Sequence, residues 1–220
     1  MLKYILQNKR GVISWLLSQI ALLIATGILL ASIASLTFYN DWKKEAELKA
    51  IADEISTFIE TMDLKETENS TTLILPLKSY YYKVNISTEY ISVMRKDGTI
   101  KKKIKVVEPL IIKPFVLNKS LNPEWQSKEE LHEWLEGYTK QKYNKKYSGT
   151  SNNPLPSEKR SEIKKELDKR LNKISKIVAR QPLEIDVNKP LYIEKAIIYF
   201  EDVNKNLETI GLVIVYQGGE

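Results

Sequence analysis

The chain has 220 residues, room for one ordinary domain with appendages, and 43% of them are hydrophobic, enough to bury a core. A net charge of +6, from 34 Lys and Arg against 28 Asp and Glu, is modest for this length and gives only a slight pull toward an anionic partner or surface. Cysteine is absent, which excludes a disulfide framework, a thiolate metal site and a cysteine nucleophile.

From Gly11 to Asn40 there is no charged residue, and Val12 to Phe38 is almost wholly apolar or small. As a helix rising about 1.5 Å per residue this run is roughly 40 Å long, whereas about 20 residues cross a bilayer core. Lys3, Lys9 and Arg10 precede it, and the charges that follow, Asp41, Lys43, Lys44, Glu45 and Glu47, nearly balance. The positive-inside bias therefore predicts a cytoplasmic N-terminus and an outside location for everything after residue 40. Phe38, Tyr39 and Trp42 stand where a span leaves the lipid, and Trp15 stands near its other face. Ala21 and Ala25, then Gly27, Ala31 and Ser35, repeat small residues at a spacing of four, the pattern of a close helix–helix approach and also a common feature of any membrane helix. Ser14, Ser18, Gln19, Thr26 and Ser32 are able to return hydrogen bonds to the backbone or to a partner. Ser32, Ile33 and Ala34 offer a signal-peptidase site, but the apolar run far exceeds the about 7 to 15 residues of a secretory signal.

After Trp42 the stretch "KKEAELKAIADEISTFIETMD" has no Pro or Gly. Leu48, Ile51, Ala52, Ile55, Phe58, Ile59 and Met62 form the stripe of an amphipathic helix, so the helix is predicted over about 12–62, its second half lying against a folded domain. The periodicity then becomes alternating. Strands are predicted at 71–77, 80–87, 89–95 and 99–107, with a further one at 110–118, and Asp97-Gly98 marks a hairpin. Lys101, Lys103 and Lys105 alternate along one strand face, which on a sheet means a solvated face or a protected edge. The aromatic interleaving of single-strand binders is missing, so no nucleic-acid partner is expected.

Residues 119–182 have a helical texture. Ser127 and Glu130 form a capping box ahead of Leu131, Trp134, Leu135 and Tyr138. A loop, "SGTSNNPLPS", reads as a flexible link to a second helix with the stripe Ile163, Leu167, Leu171, Ile174, Ile177 and Val178. Strands return at 191–202 and 207–217, so the helical pair reads as an insertion between strands of one sheet. The expected fold class is α+β: a long N-terminal membrane-spanning helix packed on an antiparallel sheet, with a two-helix insertion.

A short basic leader ending in Gly, a long apolar helix continuing as an amphipathic one and a following antiparallel sheet together resemble the archaeal type IV pilin-like proteins with class III signal peptides. The resemblance implies a prepilin-peptidase-like enzyme cutting on the cytoplasmic side, after a small residue that follows Lys or Arg. Lys9, Arg10 and Gly11 followed by Val12 match that pattern. It further implies a leader over 1–11, an assembly helix over 12–62 and an extracytoplasmic domain over 63–220, with like subunits or other membrane helices as partners. A glycine junction there would suit an unwound, exposed peptide bond. Leu16 stands where bacterial pilins carry a glutamate at the fifth mature position, and the helical insertion lies outside the family's minimal pattern.

No catalytic constellation, cofactor motif or paired metal-ligand motif appears. His132, the only histidine, reads as a surface residue on its helix. Asn69, Asn85 and Asn118 open N-glycosylation sequons on the side expected to be outside. The expectation is a non-enzymatic, single-span, pilin-like surface protein at the cell membrane. The alternative is an uncut membrane-anchored binding or sensor domain that recognises a ligand or partner through the insertion.

Overall fold

The computed structural model describes the backbone of residues 2–96, 103–118, 122 and 124–218, and the side chains of these except 2–14 and 96. The chain divides into two compact units, Met1–Ala46 and Glu47–Glu220. The long helix α1 (Leu2–Asp63) contributes to both.

In the first unit every side chain from Trp15 to Asn40 is exposed, and the most apolar stretch has a mean hydropathy of 2.3. Length and composition make this helix compatible with membrane anchoring. Four of its hydroxyls are bonded within the helix: Thr26, Ser32, Ser35 and Thr37 donate to the carbonyls of Leu22, Ile28, Ala31 and Ile33 at 2.8–2.9 Å. That i−4 return bond satisfies a polar group inside an apolar segment. The helix begins well before the predicted residue 12 and runs through Lys9, Arg10, Gly11 and Val12, so the unwound junction expected at Gly11 is absent. No proline lies in that stretch, and one interior glycine costs a helix only about 1 kcal/mol.

The second unit is α+β. Antiparallel pairing dominates, and α1 packs on the sheets through Leu48, Ile51, Ala52, Ile55, Ile59 and Met62, each at most 4% exposed. Phe58, predicted to belong to that stripe, is 37% exposed, and Ser56 is buried instead, donating to Glu60 Oε1. The buried face of the helix is thus rotated away from Phe58 and toward Ser56 relative to the hydrophobic pattern.

Two sheets form where one was predicted. The strands β1 (Asn69–Leu73), β8 (Leu191–Glu201), β9 (Leu207–Gln217) and β5 (Phe115–Leu117) lie in that order, with β6 (Leu155–Pro156) paired to β8. The second sheet has the order β4 (Lys103–Pro109), β3 (Tyr90–Lys96), β2 (Tyr82–Ile86), β7 (Leu183–Ile185). β1 leaves its neighbour in sequence and pairs with β8, Asn69 opposite Lys195 and Leu73 opposite Leu191, which splits the predicted single sheet. β5 and β6 pair in parallel with β9 and β8. Alternation along β8 and β9 divides the interior. Leu191, Ile193, Val213 and Val215 join α1 and the second sheet in one core, and Ala196, Ile198, Phe200 and Ile214 face the insertion in another.

The insertion is two helices, α2 (Lys128–Tyr143) and α3 (Arg160–Arg180), as predicted. Ser127 caps α2 by accepting from Glu130 N at 3.3 Å, while the Glu130 carboxylate reaches Gln126 N at 2.7 Å, one residue beyond the usual box. The link between the helices is built into the fold. Gly149, at φ 73°, accepts from Tyr199 N at 2.8 Å, and an added Cβ there would meet Ile198, Leu135 and Leu155 at 3.0–3.2 Å. β4 is an edge strand with Lys103 and Lys105 exposed, as the alternation predicted; Lys101 and the Asp97-Gly98 turn lie outside the described residues.

Truncation separates the buried stripe from its neighbour. Ile55→Ala is expected to cost about 2–4 kcal/mol in urea unfolding, and Phe58→Ala under about 1 kcal/mol.

Candidate functional site

Two adjacent charged side chains on β8 do the most unusual work in the second unit. Glu194 and Lys195 are 4% and 6% exposed and, as neighbours on a strand, point to opposite faces of the sheet. Lys195 Nζ donates to the carbonyl oxygen of Asp63 at 2.7 Å and to its carboxylate at 2.9 Å, which closes the C-terminus of α1. Glu194 Oε2 accepts from Lys128 N at 2.9 Å, at the first turn of α2. A cation thus meets a helix C-terminus and an anion a helix N-terminus, the favourable sign at both dipole ends. Glu194 Oε1 also accepts from Ser70 Oγ at 3.1 Å and Tyr216 Oη at 3.0 Å. Burial, and then the Glu194 charge, push the Tyr216 phenol above its ordinary range. Gly211 makes room for the clamp, since a Cβ there would lie 2.7 Å from Lys195 Nζ.

The segment leaving α1 is tied to the insertion as well. His132 is buried at 9% exposure, contrary to the surface placement predicted for it. Its Nδ1 lies 2.8 Å from the Ser148 carbonyl oxygen and its Nε2 lies 2.8 Å from Glu68 Oε1. Glu68 Oε1 also accepts from Ile197 N at 3.2 Å. Sequence periodicity placed His132 on a helix but not the carboxylate 64 residues earlier in the chain.

Between the two insertion helices, Glu162 on α3 takes Lys142 in an ion pair and accepts from Tyr143 Oη at 2.7 Å. The bond from Lys142 holds the Glu162 carboxyl below its usual value, while Lys142 is pushed up by the same contact. Arg170 is held by Glu124 at 2.9 Å and Glu166 at 3.1 Å and lies over the Trp134 ring. Tyr80 Oη donates to Glu47 Oε2 at 3.0 Å; burial, then that carboxylate, raise its pKa to about 12.

Ala21, Ala25, Gly27, Ala31 and Ser35 are all exposed, and a Cβ on Gly27 would meet nothing within 4 Å. Of Lys9, Arg10, Gly11 and Val12 only the helical backbone is described. The sequons differ in access. Asn69 is exposed on β1, whereas Asn85 is half-buried in the middle of β2 with its Ser87 fully buried; Asn118 is half-buried, and Lys119 and Ser120 lie outside the described residues.

Among the described residues no group of three or more His, Asp or Glu side chains is placed to hold a metal ion. Comparisons with protein families, with curated proteins and with solved structures find no match for this chain.

Lys195→Met removes the donor from the last carbonyl of α1 while keeping the apolar stem. The expected cost is about 1–3 kcal/mol in urea unfolding, with faster hydrogen exchange concentrated at residues 60–68.

Proposed function

We propose that the protein is a non-enzymatic, single-span, pilin-like surface protein. It is inserted with its N-terminus in the cytoplasm, assembles through α1 with like subunits or other membrane helices, and displays its α+β unit outside. One observation carries this reading: a helix whose side chains from Trp15 to Asn40 are uncovered continues, without a break in secondary structure, into the stripe that forms a domain core. A lone apolar helix exposed to water is unfavourable, and lipid or sister helices relieve the cost. Satisfied hydroxyls along the helix favour the same surroundings. Removal of residues 1–11 by a prepilin-peptidase-like enzyme would leave this helix attached to the domain and free at its new N-terminus.

The helical backbone across Gly11 and Val12 favours a second reading, an uncut anchor that presents a binding domain. In that case the leader junction offers no exposed peptide bond. For cleavage to occur, the peptidase must unwind the first turns, and glycine lowers the cost of doing so.

The mass of the membrane-extracted protein separates these readings. A chain beginning at Val12 is expected, with Gly11→Leu accumulating the uncut form in the membrane. An intact Met1 in both proteins selects the uncut anchor, and a chain beginning at Ser35 overturns both readings.

A further inference from the structure

α3 concentrates the charge of the whole chain. Residues 160–180 hold eight Lys and Arg against three Asp and Glu, a net +5, where the full sequence carries +6. Five of the cations, Lys165, Lys169, Lys173, Lys176 and Arg180, follow one another at steps of four, four, three and four residues and are all exposed. At about 100° and 1.5 Å per residue they form a single row about 22 Å long. Buried Ile163, Leu167, Ile174 and Val178 fix which side of the helix meets the core, so the row is held toward solvent.

A helix face that serves only to be solvated alternates its signs, because like charges three or four residues apart destabilise a helix. Here the nearby acids are committed elsewhere: Glu162 to Lys142 and Tyr143, Glu166 and Glu124 to Arg170. Asp168 is exposed on the flank. Among the described residues none of the five cations has an ion-pair partner. Some other surface lysines are paired, Lys83 with Glu184, Lys113 with Glu89 and Lys146 with Glu136, so the row is set apart by its alignment on one helix face together with its lack of acidic partners among the described residues.

We infer that this row is a docking surface for a linear acidic polysaccharide. A single row of cations fits a thread of charge, and its mean step of about 6 Å is close to one sugar unit of an extended chain. A lipid surface calls for large apolar side chains beside the cations, and along the row Ile177, at 38%, is the one exposed large apolar side chain among the described residues. Single-stranded nucleic acid calls for aromatic stacking platforms, and no aromatic residue lies within 160–180. The inference goes beyond the assembly reading and does not depend on it.

The full chain in an uncharged detergent is titrated with heparin and with a polyuronate, and in parallel with anionic phospholipid vesicles and single-stranded DNA. Lys169→Gln/Lys173→Gln/Lys176→Gln is compared with Lys140→Gln/Lys145→Gln/Lys205→Gln, which lowers net charge equally at exposed sites away from the row. Glutamine keeps helix propensity, and circular dichroism checks that both triples fold. Expected is polysaccharide binding that weakens with salt, falls about tenfold or more in the first triple and less than about twofold in the second, with a salt slope reduced by about two to three charges. Equal loss in both triples, preference for vesicles or DNA, or absence of polysaccharide binding overturns the inference.

Discussion

Leu48, Ile51, Ala52, Ile55, Ile59 and Met62 leave water only because strands from both sheets close over them. Full burial of each large aliphatic side chain contributes about 1.5–3 kcal/mol, so this one helix face is the main reason the second unit folds around α1. The dependence runs both ways. Without the strands the helix would show water an apolar stripe, and without the helix the sheets would have no common core.

That packing fixes α1 in the core, and Glu194-Lys195 fixes where its end lies. Two charges inside an otherwise apolar strand are costly to bury unless each is fully bonded. Here each closes a different helix end on a different face of the sheet: Lys195 on α1, Glu194 on α2. One dipeptide therefore joins the helix that carries the proposed anchor to the insertion that carries the basic row. His132 and Glu68 add a second tie across the same junction.

What could be read from the sequence was local. The apolar run, the stripe that follows it, the hairpin partners β3 and β4 and the Ser127 cap all express periodicities or pairs a few residues apart. What could not be read depends on distant partners. Asp63 and Lys195 are 132 residues apart and Ser70 and Glu194 are 124 apart, so no window contains both members. The split into two sheets has the same origin, since β1 chooses β8 over β2. One signal was present: adjacent Glu194 and Lys195 interrupt a strand whose other residues from Leu191 to Phe200 are apolar or aromatic. Phe58 shows the opposite error, in which hydrophobicity assigned a core place that the geometry of the helix face did not supply.

The proposed arrangement has the apolar first part of α1 in the membrane and the second unit outside, and side-specific labelling tests it most directly. The chain has no cysteine, so Val203→Cys, at a position 98% exposed in the β8–β9 turn, introduces a single thiol. With a membrane-impermeant maleimide on whole cells, labelling equal to that after lysis is expected, together with recovery of the protein in the membrane fraction. Labelling only after lysis, or a protein found in the soluble fraction, would contradict the arrangement.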